Sequence, residues 1–297
     1  APALAPFTDI AIAVSKSTAD FVVHARKIPA ERVKVVYLGA PLEEFSRPRT
    51  PDEVAAAREA LGVPGDAPVV GTVTRLMPSK GNQYFVEAVG HLAARLPDVR
   101  FVVVGEGELQ ADLEAQAADL GIADRLVFAG FRRDVAAVYS AFDVAVFPSL
   151  WEGTPLTAFE ALAMGKPIVS TDADGLSDIL TPGRDALVVP RRDGRALADA
   201  IATLVGDAAH RARLGAAAAA TGQRYGIDRF VRRMEQLYDL LHATSRTTKR
   251  RGAPEAPLRV FTEAWWTRPS IPAPRGGGET PAWWCRPSPA CCCAPSR

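Results

Sequence analysis

Val144-Ala145-Val146-Phe147-Pro148-Ser149-Leu150-Trp151-Glu152-Gly153-Thr154-Pro155-Leu156-Thr157-Ala158-Phe159-Glu160 joins an apolar run to a helix-start pattern through a short loop. Val144–Phe147 has no polar position, the pattern of a strand buried on both faces of a parallel sheet. Pro155 suits a first helical turn, where its missing N–H costs nothing, and Thr154 suits the N-cap position. The helix is predicted over Thr154–Met164. A strand feeding a helix in this way is half of a βαβ unit.

The unit recurs in both directions. Strands are predicted at Ile10–Val14, Val33–Tyr37, Val69–Thr74, Phe101–Val104, Leu126–Ala129, Ile168–Ser170 and Ala186–Val189. Helical spacing fills Ala19–Arg26, Gln83–Arg95, Leu109–Leu120, Asp134–Ala141 and Arg195–Val205. The expected fold class is α/β with a doubly wound parallel sheet. After Val189 only helical stretches follow, ending in Arg229–His242, where Phe230, Met234, Leu237, Tyr238 and Leu241 form an apolar stripe that suits packing on a core. Residues 38–50 (LGAPLEEFSRPRT) read as an interdomain linker. The expected division is 1–37, a remnant of a preceding domain; 38–50, linker; 51–226, the main α/β domain; 227–245, a C-terminal crossover helix; and 246–297, a tail.

The chain has 297 residues, 48% hydrophobic and 23% charged, with 35 Lys+Arg against 34 Asp+Glu. That near-neutral balance conceals two parts. Residues 246–297 hold nine Lys+Arg against three Asp+Glu, which leaves 26 against 31 in the body, an acidic balance that argues against a nucleic-acid partner. All four cysteines and four of the five tryptophans lie in the tail. Cys291, Cys292 and Cys293 are adjacent, unlike the spaced pairs that enclose a zinc ion. The tail shows neither strand nor helix period and is expected to be unfolded, with the residue bias of a shifted reading frame in a GC-rich gene. No run approaches the ~18 apolar residues of a membrane span, so the expected location is cytoplasmic, with the chain starting partway through a longer protein.

The chemistry-bearing residues sit after predicted strands. A helix start at the carboxyl end of a parallel strand offers free N–H groups and a positive dipole end to a phosphate. Glu160 would lie ~9 Å along that helix. Glu152, between Trp151 and Gly153 in a short loop after a buried strand, is poorly placed for a merely solubilising charge. Arg75 and Lys80 follow Val69–Thr74 and precede a helix, so both can face the same crevice, the one as a planar fork and the other as a point charge. Two exposed cations on a turn would look the same. Gly105 and Gly107 begin a dinucleotide-type fingerprint that Gln110 interrupts, and they read as a tight turn that lines a nucleotide pocket. There is no phosphate loop of the Gly-x4-Gly-Lys-Ser/Thr type, no His-Glu-x-x-His and no Gly-x-Ser-x-Gly.

Taken in order, Ala13-Val14-Ser15, Val36-Tyr37-Leu38-Gly39, Gly71-Thr72-Val73-Thr74-Arg75 with Lys80-Gly81, Val104-Gly105-Glu106-Gly107, Gly130-Phe131, Phe147-Pro148-Ser149, the Glu152 to Glu160 segment and Gly165-Lys166-Pro167 resemble the C-terminal half of a family 4, or group 1, glycosyltransferase of the GT-B fold. The resemblance covers about residues 9 to 243. It implies a nucleotide-sugar donor (UDP-, GDP- or ADP-sugar), retention of anomeric configuration and no obligatory metal or other cofactor. By the same resemblance, Arg75 and Lys80 hold the diphosphate and Glu160 the ribose. Glu152 lies near the donor sugar, the Gly153, Thr154 and Leu156 backbone contacts sugar and phosphate, and Phe131 and Arg132 lie near the base. The acceptor (a glycan, lipid or small molecule) and any peripheral membrane contact would belong to an N-terminal domain outside this chain, so the chain alone is expected to transfer little sugar. Competing readings are a non-catalytic nucleotide-sugar-binding subunit, a GT-B-scaffold epimerase or phosphorylase and, least favoured, a dehydrogenase.

Overall fold

Val69–Val73 is buried at every position and forms the central strand of the larger sheet. It tolerates Gly71 for a packing reason: a Cβ there would lie 2.2 Å from the Phe142 ring, which crosses the strand at that point. The computed structural model describes residues 8–63, 65–250 and 260–262, with side chains as far as 243.

The chain opens with β1 (Ile10–Ala13), α1 (Lys16–Arg26) and β2 (Val33–Val35), and β1 and β2 pair in parallel. Ser15 caps α1 by accepting from the Thr18 N–H. Two helices follow, α2 (Glu43–Ser46) and α3 (Pro51–Ala60). Next come β3 (Val69–Val73), α4 (Asn82–Leu92), β4 (Arg100–Val104), α5 (Gln110–Asp119), β5 (Leu126–Phe128), α6 (Val135–Ala141), β6 (Val144–Phe147) and α7 (Leu156–Ala163). The described order closes with β7 (Ile168–Thr171), α8 (Asp174–Ser177), β8 (Leu187–Val189), α9 (Gly194–Gly206), α10 (Ala208–Gly222), α11 (Ile227–Arg250) and β9 (Val260–Thr262).

Six parallel strands run β5-β4-β3-β6-β7-β8. In order of appearance this is 3-2-1-4-5-6, the doubly wound arrangement, whose direction of winding reverses between β3 and β6. Helices cover both faces. One core gathers Phe142, Phe159, Leu162 and Leu176, and the other Phe85, Phe101, Leu113 and Ile201.

Three expectations need correction. The stretch 38–50 is more than a linker: Ala40 bridges Gly226 through the Ala40 N–H to Tyr225 O and the Ile227 N–H to Ala40 O, both 2.9 Å, and α2 follows. Helix α3 was not anticipated, although Thr50 and Glu53 form a full capping box ahead of Pro51. Finally, α11 continues to Arg250 rather than stopping at 245, and Val260–Thr262 pairs in parallel with β1, so those parts of the tail are not unfolded. The expectations for 251–259 and 263–297, the cysteines included, lie outside the described residues.

Candidate functional site

The segments after β3, β4, β5 and β6 meet at the carboxyl edge of the sheet, around the point where its winding reverses. Ligands of open α/β sheets bind in that crevice. Close main-chain approach brings the first three together. Leu76 N–H donates to Glu106 O at 3.0 Å, Leu109 N–H to Leu76 O at 3.0 Å and Gly105 N–H to Gly130 O at 2.8 Å. Gly105 has φ 134°, and a Cβ on it would sit 1.8 Å from Thr74 O, so any side chain would push the two turns apart.

Across the reversal, a 3-10 turn over Pro78–Lys80 brings Lys80 against the loop after β6. Lys80 Nζ donates to Glu152 Oε1 at 2.7 Å and to Oε2 at 2.8 Å, and Ser149 Oγ donates to Oε1 at 2.7 Å. The two charged side chains are 18% and 8% exposed. Two of the three ammonium hydrogens are thus committed to Glu152, which leaves one for another acceptor. Beside them, Gly153 leads to the start of α7, where no side chain caps the helix.

The loop itself is held from several directions. Leu150 N–H donates to Ser79 O at 2.8 Å, Gly175 N–H to Glu152 O at 3.0 Å and Arg191 Nη1 to Leu150 O at 3.0 Å. Thr171 Oγ1 donates to Ser149 O. A Cβ on Gly175 would lie 2.1 Å from Gly153 O, so α8 packs directly on the loop backbone.

Glu160 lies on α7 with Oε2 buried and without a hydrogen-bond partner among the described residues. Burial raises its pKa to about 7. An unpartnered carboxyl oxygen is costly to bury, and a ligand hydroxyl would satisfy it. The neighbouring Tyr139, itself buried, has its phenol pushed well up by burial and then by Glu160.

The sequence profile described as "Glycosyl transferases group 1" matches residues 67–207, the segment that carries all of these turns. The D-inositol 3-phosphate glycosyltransferase of Xylanimonas cellulosilytica is 34% identical over 254 residues, 83% of this chain and 59% of that protein. The chain belongs to the group 1 glycosyltransferases. Among solved structures, Anabaena HepE in complex with UDP and glucose superposes with a TM-score of 0.73 at 25% identity, over 80% of this chain and 64% of HepE. The C-terminal domain of LpcC, a glycosyl transferase group 1 family protein from Francisella tularensis, shares the fold at a TM-score of 0.56 and 23% identity. That match covers 64% of this chain and all of that domain. The chain spans about half the length of the curated relatives it matches.

For this group 1 chain, the expected site residues divide into those brought together and those placed otherwise. Lys80, Glu152 and Gly153 are adjacent, but Lys80 and Glu152 form a pair rather than two separate contacts. Arg75 is exposed on the turn after β3, and its carbonyl accepts from Asn82 Nδ2 at 3.2 Å. Gly105 closes the turn after β4, and Phe131 lies 61% exposed after β5. Arg132 is held by Asp134, with Nε to Oδ1 at 2.9 Å and Nη2 to Oδ2 at 2.6 Å. Thr154 is not the N-cap. Its hydroxyl donates to Val14 O at 2.7 Å, Pro155 takes the cap position and α7 begins at Leu156, which is exposed. Glu160 is therefore the fifth helical residue, ~6 Å from the start instead of ~9 Å.

Ser149 and Asn82 were missed. The Ser-x-x-Glu spacing of Ser149 and Glu152 was the readable signal for the first. Asn82 opens α4 with no exposed surface, and no local pattern marks its bond to Arg75. Among the described residues, no group of three His, Cys, Asp or Glu side chains could hold a metal ion, and no helix is long and apolar enough to cross a membrane.

Proposed function

We propose that this chain is the donor-binding half of a glycosyltransferase that moves a sugar from a nucleoside-diphosphate sugar to an acceptor hydroxyl with retention of configuration. The observation that carries the reading is the largely buried Lys80–Glu152 pair beside the uncapped start of α7, at the reversal point of the sheet. The diphosphate lies against the α7 start, with Arg75 and the remaining Lys80 hydrogen donating to it. Glu152 holds the ammonium in position, and Ser149 fixes the carboxylate.

As the bond between the anomeric carbon and the phosphate oxygen breaks, negative charge develops on the leaving diphosphate. A cation already desolvated and oriented stabilises that charge without reorganising, the effect that dominates when donors are preset for a transition state. Glu160 accepts from the ribose hydroxyls one helical turn along, and Phe131 offers an apolar surface to the base. The acceptor hydroxyl attacks the face that the diphosphate leaves and passes its proton to the departing phosphate oxygen. The described residues supply one wall of the cleft, so the isolated chain is expected to bind nucleoside diphosphate and to transfer little sugar.

Calorimetric titration with UDP, GDP and ADP tests the reading. Arg75→Ala should weaken binding of the preferred diphosphate about 10-fold, the loss expected for one charge-assisted hydrogen bond. Unchanged affinity in Arg75→Ala and in Lys80→Ala would exclude the site.

A further inference from the structure

Away from the donor cleft, a cavity of about 500 Å³ opens between the N-terminal part of α11 and the segment Val35–Leu38. Its lining includes Arg224, Arg229, Arg232, Arg233, Gln236 and Tyr37, and no carboxylate. Helix α11 sorts its residues by face. Arg229, Arg232, Arg233 and Gln236 stand at i, i+3, i+4 and i+7, a single side of a helix, while Asp228, Glu235 and Asp239 share another and Phe230, Met234, Leu237 and Leu241 a third. The basic side therefore turns toward the cavity and the acidic side does not.

The arginines are not spent on internal pairing. Arg233 Nη1 donates to Gln236 Oε1 at 3.3 Å, and Arg224, Arg229 and Arg232 have no ion-pair partner among the described residues. Arg224 comes from the turn before α11, so the cations approach from two elements. The carboxylates of Asp178 and Asp185 act on the inner side, where they help raise the Tyr225 pKa behind burial and Tyr37; Asp178 likewise acts on Tyr37 behind burial. Four like charges around one concavity repel one another, and a concave wall of low dielectric concentrates their field. Guanidinium forks match the oxygens of a phosphate group in pairs. The main-chain bridge between Ala40 and Gly226 ties this region to the crossing of linker and helix.

We infer that this arginine-lined cavity binds a phosphate-bearing ligand, separate from the donor diphosphate. The chemistry recognised is the phosphate group, free or carried by a lipid headgroup.

The test uses the full chain, wild type and the triple variant Arg229→Ala/Arg232→Ala/Arg233→Ala. Inorganic pyrophosphate is titrated calorimetrically, and vesicles with and without an anionic phospholipid are co-sedimented. Pyrophosphate binds wild type at two sites, and the triple variant loses one of them by at least 10-fold while keeping the other. Loss of vesicle binding alone in the variant assigns the phosphate to a lipid. The corresponding triple Lys variant, which keeps the charge, recovers part of the binding and excludes misfolding as the cause. Equal binding of both probes by wild type and the triple variant, or no binding of either probe by wild type, overturns the inference. Loss of donor binding in Arg75→Ala with this second site intact separates a failure of one site from a failure of the other.

Discussion

The loop after β6 and the turn after β5 end at the same edge of the same sheet, yet they are built in opposite ways. From Ser149 to Thr154 the chain is fastened by Ser79, Thr171, Gly175, Arg191 and Val14, residues from five other parts of the sequence, and it carries a buried carboxylate. From Phe131 to Asp134 the side-chain bonds are local, between Arg132 and Asp134, and Phe131 is exposed. On the proposed function, the more heavily fastened loop is the one that meets the charge of the diphosphate, and the less fastened turn is the one that offers an aromatic surface. A preset electrostatic wall lowers the cost of ordering on binding, whereas a loosely held turn could adjust to whichever ring the proposed donor presents.

Breaking the fastened side should have the largest effect. Glu152→Ala leaves the Lys80 ammonium largely buried without its counter-ion, for which the expected loss of stability is about 3–5 kcal/mol. The double variant Lys80→Met/Glu152→Gln removes both charges and should recover most of that loss. Urea unfolding of the two proteins checks the difference. A single variant as mild as the double would mean that the pair is solvated and the loop is not preset.

The next effect in size concerns Glu160. Its folded-state pKa of about 7, raised by burial, exceeds the unfolded value, so the folded chain holds a proton that the unfolded chain has lost. Stability from this group is full below the unfolded pKa and falls as pH rises toward 7, by about 2–3 kcal/mol across the window. Glu160→Gln should therefore stabilise the protein at pH 8 and change little at pH 4, which thermal unfolding at both values will read. Binding of a ribose diol favours the ionised form and should release a proton, visible as a buffer-dependent heat. Identical heats in buffers of different ionisation enthalpy would place the ribose elsewhere.

The same contrast explains what could be read from the chain beforehand. The eight strands from β1 to β8 were legible because runs such as Phe101-Val102-Val103-Val104 have no polar position and can only be buried on both faces. The parallel, doubly wound class followed from the alternation of strand and helix, and with it a crevice above the strand ends; the order of the strands was not read from the sequence. The pairing inside that crevice was not legible: Lys80 and Glu152 stand 72 positions apart, and no local pattern links them. Thr154 was misassigned for a related reason. A Thr-Pro dipeptide before an apolar helix satisfies the local rule for a cap, but its hydroxyl is drawn away by Val14 O, 140 residues distant in sequence. Helix α3 was missed despite a local signal, because the Pro and Gly punctuation of 38–50 drew Thr50 into the linker. Local rules located elements, and long-range polar contacts chose the roles of individual side chains.

The smallest expected effect tests the loosely held side. Arg132 and Asp134 form an exposed pair, a class usually worth under 1 kcal/mol because solvent screens the charges and holding two side chains in one geometry costs entropy. Arg132→Ala should lower stability by less than about 0.5 kcal/mol. If the turn adapts to the base, the same variant should also shift the relative affinities for UDP, GDP and ADP, since removing the pair frees Phe131 and its neighbours to settle differently on each ring. A stability loss as large as that of Glu152→Ala would show that the turn is fastened after all, and the division of the cleft into a fixed electrostatic wall and an adjustable apolar one would then fail at its weaker end.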